Sequence, residues 1–402
     1  MSESRTYDVV VIGAGAVGEN VADRASRTGL SVLVVEEELV GGECSYWACM
    51  PSKALLRPGA ALAAARGVGG AAQAVTGPLD AVAVLARRDS FASHWDDAGQ
   101  LRWLEGAGLT LLRGHARLTG VRTVVVETDD GDVPVDARHA VVVATGSEPV
   151  VPDVPGLAEA QPWTSREATS AQQAPGRLVV LGGGVVGVEM ATAYRDLGGE
   201  VTLVVRGSRV LTAAEPFAGD AVGRALADLG VDVRYGVEAT AVRRGEDVTV
   251  ELSDGSVVTA DEVLVATGRR PRTDGLGLET VGLGDGALEV DDQLRVTAVE
   301  GDWLYAVGDV TGRTATTHQA QVRRARCGGP DRGTLRSGHA RRGALRTALG
   351  RRGPGRADPG RVHAARSRLG RSHGGAGAGG RCGRACRRRR PVLGCRSVPA
   401  RG

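Results

Sequence analysis

Lysine occurs once in these 402 residues, at Lys53, and aromatic side chains make up only 3% of them. No apolar run approaches the ~20 residues that a membrane-spanning helix needs, so no membrane span is expected. No basic N-terminal region leads into an apolar core and cleavage site: Val9 to Ile12 is too short and runs into Gly13. The expected location is therefore the cytoplasm. Near Cys44 and Cys49 there is no second cysteine pair, and His94 and His115 lack ligand-like spacing to them, which removes a zinc site. In a reducing compartment, a close cysteine pair is more often catalytic or metal-binding than a structural staple.

What is abundant is glycine, 60 residues, set among valine- and alanine-rich runs in a chain that is 42% hydrophobic. That pattern fits α/β architecture better than an all-β or disordered chain, and the length predicts two or three domains. Tyr7 to Ile12 reads as a buried parallel strand, and Gly13-Ala14-Gly15-Ala16-Val17-Gly18 turns it into a helix from about Glu19 to Thr28. A second strand, Ser31 to Val35, closes on Glu36. Glycines let backbone approach a pyrophosphate at a helix N-terminus, and Glu36, 18 residues past Gly18, can accept ribose hydroxyls. A mere tight strand–helix turn is the alternative, but strand, loop, helix and acid in register favour a nucleotide site.

The unit recurs. A strand, Arg177 to Leu181, precedes Gly182-Gly183-Gly184-Val185-Val186-Gly187 and a helix to about Leu197. The following strand, Val201 to Val205, ends in Arg206, with Arg209 close behind. An acid there would suit an unphosphorylated ribose, whereas a guanidinium matches a 2′-phosphate. Arg206 as a solvated strand end is the alternative, and the pattern leans to NADPH over NADH. Two further strands end in Ala144-Thr145-Gly146-Ser147 and Ala266-Thr267-Gly268-Arg269, and a third, from Trp303, ends in Gly308-Asp309. These would return the chain to the cofactor edge of a sheet, where the Asp309 carboxylate could hold a ribityl or ribose hydroxyl.

Between the first unit's second strand and its next helix lies Gly41-Gly42-Glu43-Cys44-Ser45-Tyr46-Trp47-Ala48-Cys49-Met50-Pro51-Ser52-Lys53. Four intervening residues are too many for a Cys-x-x-Cys redox motif. On a helix beginning near Cys44, residues five apart are offset by about 1.4 turns, so a disulfide needs Cys44 in a looser first turn. Gly41-Gly42 permits that. Lys53 falls one helical turn past Cys49, and a helix N-terminus and a nearby cation both lower a thiol pKa. Two buried reduced cysteines are the alternative. A cysteine pair beside a nucleotide crevice suggests electrons passing from cofactor to disulfide.

These motifs, in order over about residues 6 to 319, resemble the pyridine nucleotide-disulfide oxidoreductases of the dihydrolipoamide dehydrogenase, glutathione reductase and mercuric reductase type. They include Gly182-x-Gly184-x-x-Gly187-x-Glu189. The resemblance implies two Rossmann-like domains of the three-layer β/β/α type. It implies FAD held by Gly13, Gly15, Gly18, Glu36, Lys53, the neighbourhood of Gly114, Thr145, Gly146, Ser147 and Asp309. Cys44 would be the interchange thiol, Cys49 the charge-transfer thiolate at the flavin, and Lys53 would pair with Glu189. NAD(P)H would bind Gly182 to Gly187 with Gly268 nearby, and Arg206 and Arg209 look like the NADPH-using members. Ser45-Tyr46-Trp47-Ala48 replaces the smaller residues usual between the cysteines, so no named substrate carries over.

Such enzymes end in a dimerisation domain whose His-Pro…Glu motif supplies an acid–base histidine to the partner's dithiol, and that motif is not found here. Residues 320 to 402 instead hold 23 arginines against Asp331 and Asp358, a formal +21, so the first 319 carry −18 of the net +3. Read one nucleotide later, Gln321 to Gly329 can spell Arg-Tyr-Gly-Ala-Arg-Val-Ala-Ala-Asp. In the same frame Arg361 to His373 can spell Val-Phe-Thr-Pro-Pro-Glu-Val-Ala-Ser-Val-Gly-Leu-Thr. Both resemble family segments, so a frameshift is the preferred reading. The rival is a polyanion- or RNA-binding tail, which the absence of any aromatic residue for stacking argues against. Cys382, Cys386 and Cys395 lack a matching ligand set, and the composition predicts disorder.

The expected organisation is therefore an FAD-binding segment at 1–150, an NAD(P)-binding segment at 151–275, an FAD-binding return at 276–319, and a disordered basic tail at 320–402. The expected activity is FAD-dependent NAD(P)H:disulfide oxidoreduction on a small-molecule or disulfide substrate, within cell redox homeostasis. Intact relatives work as homodimers. Without the histidine base, turnover should drop by the ~10²–10⁴-fold that general acid–base groups contribute. The alternative is a catalytically silent flavoprotein remnant.

Overall fold

The computed structural model describes residues 4–313. The chain begins with β1 (Arg5–Ile12), α1 (Ala16–Ser26) and β2 (Val32–Glu36), the strands pairing in parallel from Val9 opposite Val32 to Ile12 opposite Val35. Four helices follow: α2 (Gly42–Tyr46), α3 (Cys49–Arg66), α4 (Ala81–Phe91) and α5 (Ala98–Gly106). They lead to β3 (Thr110–Arg113), parallel to β2. An antiparallel meander, β4 (His115–Gly120) and β5 (Thr123–Thr128), runs into β6 (Gly131–Val143). The second half of β6 swings onto β1 in parallel register.

The same sequence of elements then repeats. After β7 (Ser147–Pro149) and α6 (Ser165–Ser170) come β8 (Arg177–Leu181), α7 (Val185–Asp196), β9 (Glu200–Val205), α8 (Pro216–Asp228) and β10 (Asp232–Tyr235). A second meander, β11 (Ala239–Arg244), β12 (Val248–Leu252) and β13 (Val257–Ala260), leads to β14 (Glu262–Val265). The parallel sheet reads β10-β9-β8-β14. Finally β15 (Arg269–Pro271) pairs antiparallel with β7, and β16 (Leu304–Ala306) joins the first sheet beside β6.

Why each unit has three layers is visible in the alternation of its valines. Val9, Val11, Val32, Val34 and Val142 pack with Ala22 and Ala25 of α1, while Val10, Ile12, Leu33, Val35 and Val141 pack with Leu118, Val124 and Val126 of the meander. Leu276, Leu278, Leu288 and Val296 join that second face. In the repeat, Leu178, Val180 and Leu203 face Met190 and Tyr194, and Val179, Leu181 and Val204 face Val242, Val250 and Val258. A strand side chain alternates faces with a period of two, so a continuous aliphatic run is what a sheet covered on both sides requires. Each buried aliphatic side chain contributes roughly 1.5–3 kcal/mol.

Two local expectations are corrected. The first helix starts at Ala16 rather than near Glu19, because the glycine turn itself forms the helix's first turn. The cysteines do not share one helix: Cys44 lies in α2 and Cys49 opens α3, with Trp47 and Ala48 in non-helical conformation between them. The N–H groups of Trp47 and Ala48 both donate to the Glu43 carbonyl, at 2.9 and 2.6 Å, which closes α2 early. The basic tail, its shifted-frame reading, its expected disorder and Cys382, Cys386 and Cys395 lie outside the described residues, as does the return segment beyond residue 313.

Candidate functional site

The two glycine turns share their close contacts. Gly13 has φ +98°, and a Cβ there would lie 2.5 Å from the Ala144 carbonyl oxygen; one on Gly18 would lie 2.0 Å from the Gly13 oxygen. Gly182 (φ +116°) and Gly187 repeat this against Ala266 and Gly182, at 2.3 and 1.9 Å. So the outer glycines let turn, helix and the neighbouring Ala-Thr-Gly strand end close on one another. The middle glycines differ. A Cβ on Gly15 would meet nothing within 4 Å, and one on Gly184 only the Ala266 oxygen at 3.9 Å. Both open onto free space before a helix N-terminus, where the first N–H groups have no intrahelical partner and anions are favoured.

Over the first turn lies a cavity of about 440 Å³. Its wall brings together Gly13, Gly15, Glu36, Cys44, Gly114, Thr145, Gly146, Ser147 and Asp309, residues scattered over most of the described chain. Gly18 lies beneath it in the packing, while Cys49, Lys53, Glu189 and the second turn are outside its lining. The Glu36 carboxylate accepts the N–H of Ala14 at 2.7 Å and of Glu38 at 2.9 Å, which aims it across the turn. A carboxylate has about four acceptor positions, so two backbone bonds leave capacity for hydroxyl groups. Burial pushes the Glu36 carboxyl up, against those hydrogen bonds. At the opposite wall Ser147 Oγ donates to Asp309 at 2.8 Å, and Arg269 donates to Ser147 Oγ at 2.9 Å. Such a set, free helix N–H groups between two fixed carboxylates, fits the pyrophosphate and polyol of a flavin dinucleotide.

Cys44 is carried to this cavity by backbone approach. Gly41 N–H donates to the Ala14 carbonyl at 2.8 Å, and a Cβ on Gly42 would come within 2.8 Å of Gly15 Cα. The start of α2 therefore lies directly on the glycine turn, and Cys44 reaches the cavity wall. Cys49, half-buried, is the first residue of the 18-residue α3, where the helix dipole favours a thiolate. One turn on, Lys53 Nζ donates to both Glu189 oxygens, at 2.5 and 2.7 Å. That pair joins α3, which carries Cys49, to α7, which opens at the second glycine turn.

Arg206 is exposed at the end of β9, and Arg209 is half-buried with an Nε that has no hydrogen-bond partner among the described residues. Leu211 N–H donates to the Gly183 carbonyl at 2.8 Å, so the loop bearing both arginines is tied to the second glycine turn. Gly268 is exposed and its carbonyl accepts Val150 N–H at 3.0 Å. An orphaned guanidinium donor beside a helix N-terminus suits a phosphate group.

Several cavity residues escaped the sequence reading. Glu37, Glu38 and Glu43 add carboxylates to the wall, Arg166 and Arg272 add cations, and His115 adds an imidazole. His115 Nδ1 lies 2.8 Å from Glu37 and Nε2 3.2 Å from the Gly275 carbonyl, so its pKa is raised, chiefly by Glu37. Arg272 also pairs with Glu37. Glu19, on α1, is half-buried with an Oε1 that has no hydrogen-bond partner among the described residues, and burial pushes it up to about 7. The only advance signals were Glu37-Glu38 following Glu36 and Glu43 preceding Cys44.

Comparison with known proteins matches residues 7–323 to the family described as pyridine nucleotide-disulphide oxidoreductase. A mercuric reductase of Acidithiobacillus ferrooxidans is 32% identical over 331 residues, covering 81% of this chain and 60% of that protein. Dihydrolipoyl dehydrogenase 3 of Pseudomonas aeruginosa is 36% identical over 334 residues, covering 80% of this chain and 70% of that protein. The HOCl-induced flavoprotein disulfide reductase RclA of Escherichia coli, solved as a Cu(II) complex, superposes with a TM-score of 0.70 at 25% identity, over 79% of this chain and 69% of that one. The chain thus spans 60–70% of the length of these relatives.

Proposed function

Because the chain belongs to the pyridine nucleotide-disulphide oxidoreductase family, we propose that it transfers electrons from NAD(P)H through FAD to a Cys44–Cys49 disulfide and on to a small-molecule disulfide or related acceptor. The observation that carries the reading is Cys44 in the wall of the cavity built by the first glycine turn. Residues 1–150 with 276–319 hold FAD in this reading, and 151–275 hold the nicotinamide nucleotide. FAD, when bound, supplies a two-electron relay between nicotinamide and disulfide. Gly13, Gly15 and Gly18 admit its pyrophosphate to the α1 N-terminus, Glu36 takes ribose hydroxyls, and Asp309, set by Ser147, takes a polyol hydroxyl. Gly114, Thr145 and Gly146 shape the remaining wall. Gly182, Gly184 and Gly187 admit the second dinucleotide, with Gly268 beside it. Arg206 and Arg209 favour a 2′-phosphate, hence NADPH.

The overall step is NAD(P)H + H⁺ + disulfide → NAD(P)⁺ + two thiols. Two electrons and one proton leave the nicotinamide as hydride, the S–S bond breaks, and solvent supplies the second proton. Cys44 attacks the acceptor disulfide, and Cys49 closes the internal one. Lys53 with Glu189 places a fixed cation one turn from Cys49. The test is the visible spectrum of the purified chain, followed by anaerobic NADPH or NADH. A yellow protein bleached faster by NADPH, with acceptor turnover lost in Cys44→Ser, is the expected result. A colourless protein that binds no added FAD, or a Cys44→Ser variant with full acceptor turnover, overturns the reading.

A further inference from the structure

Arg166, in α6, touches both sides of the turn that carries Cys44. Its Nε donates to Glu43 Oε1 at 2.5 Å, and its two terminal nitrogens donate to the two Glu38 oxygens at 2.9 and 2.8 Å. Its guanidinium carbon lies 4.2 Å from the centre of the Trp47 ring. Glu43 immediately precedes Cys44, and Trp47 follows it by three residues, so the guanidinium spans the thiol's own turn. A planar fork that binds one carboxylate through two bonds and stacks on an indole is a role lysine cannot reproduce. The base of the clasp is anchored as well: Thr169 Oγ1 donates to the Trp47 carbonyl at 3.0 Å, and buried Arg88 donates to the Thr169 and Ala171 carbonyls, both at 2.6 Å.

The charges around the thiol explain why a cation is needed there. Glu38, Glu43, Arg166 and Asp309 line the same cavity as Cys44. From β15, the Arg269 guanidinium is 3.5 Å from Glu43 Oε2, too far for a good hydrogen bond. Arg166 is thus the group hydrogen-bonded to both glutamates, its single charge offsetting one of the two while Arg269 pairs more loosely with Glu43, and its hydrogen bonds hold the Glu38 carboxyl below the usual carboxylate range.

We infer that Arg166 is a positioning residue for the dithiol, fastening the turn that carries Cys44 to α6 and offsetting part of the negative charge of the two carboxylates that share the cavity wall with it. The inference rests on the proposed thiol chemistry and adds a residue to it. A neighbouring negative charge disfavours a thiolate and a positive one favours it. In the full chain, reduced with excess dithiol, Cys44 alkylation by iodoacetamide is followed against pH and resolved by peptide mapping. Arg166→Gln should raise the midpoint by ~0.5–1 pH unit. Glu43→Gln should lower it, the double variant should fall between the two, and Arg166→Lys should lie between Arg166→Gln and wild type. Coincident midpoints in Arg166→Gln and Glu43→Gln, or shifts of the same sign, overturn the inference. If Arg166→Gln does not fold, Glu43→Gln and Glu38→Gln decide by whether they lower the midpoint. Alkylation needs neither FAD nor nicotinamide, so a chain that binds no flavin would overturn the proposed function while leaving this result readable.

Discussion

Alanine at Gly15 should abolish tight FAD binding and leave the fold intact. Gly15 has φ −66° and ψ 174°, which any L-residue adopts, and its Cβ would meet no protein atom within 4 Å. The new methyl would instead stand in the open space before α1, where a pyrophosphate must approach. Losing one charge-assisted hydrogen bond costs about 1.5–3 kcal/mol, or roughly 10- to 100-fold in affinity per bond displaced. On the protein side, the poorer N-cap and the stiffer unfolded chain act in opposite directions, each by about 1 kcal/mol or less. The melting temperature of flavin-free protein should therefore stay within ~4 °C of wild type. Gly18→Ala is the contrast: its Cβ would sit 2.0 Å from the Gly13 oxygen. Relieving that overlap pries α1 from the turn at ~1–3 kcal/mol, so this variant should lose stability and flavin together. Titration calorimetry with FAD and melting of the flavin-free proteins measure both quantities. Gly15→Ala with wild-type FAD affinity would refute the reasoning.

Burial raises Glu19 from 4.5 to about 7, so between those values the folded state holds a proton that the unfolded state has released. Stability should fall as pH rises through that window. Glu19→Gln should remove the fall: its advantage over wild type in melting temperature grows from about pH 4.5 to 7 and then levels off, and a pH-independent difference would sink the idea. Arg88 is fully buried, and besides the Thr169 and Ala171 carbonyls it binds Asp89 at 2.6 Å. Arg88→Met should cost ~3–5 kcal/mol in urea unfolding, because it strands a carboxylate and two carbonyls; a loss under about 1 kcal/mol would show that water replaces it.

The parts of this molecule written in local sequence were readable in advance. Val9 to Ile12 and Leu178 to Leu181 could be little but covered strands, and the turn after each demanded glycine where another backbone comes within a Cβ's reach. Glu36, Thr145 and Asp309 were legible for a related reason: in parallel α/β units, residues at strand ends meet at one edge. What could not be read were pairings between side chains far apart in the chain. Arg166 lies 123 residues from Glu43 and 128 from Glu38. Around it the sequence shows only the capping box that Thr164 and Glu167 form on α6. The break between the cysteines was hidden likewise, because α2 ends early where Trp47 turns toward Arg166 and the carbonyl of Glu43 collects two N–H groups.

The two glycine turns are near copies, yet among the described residues only the first has a thiol brought to its cavity. The connection between the units must then be carried by side chains, and the Lys53–Glu189 pair is one such link. With Lys53 60% exposed, its energetic value is small, ~0–1 kcal/mol. Its role is better argued from position, since a lysine four residues past Cys49 is held against the helix that begins at the second glycine turn. Packing beneath it supports the same join: a Cβ on Gly59 would fall 1.8 Å from Asp196 Oδ2, and Leu55 packs with Ala193. Helices α3 and α7 are therefore locked by shape, and the ion pair on their rim is free to serve charge placement instead of stability.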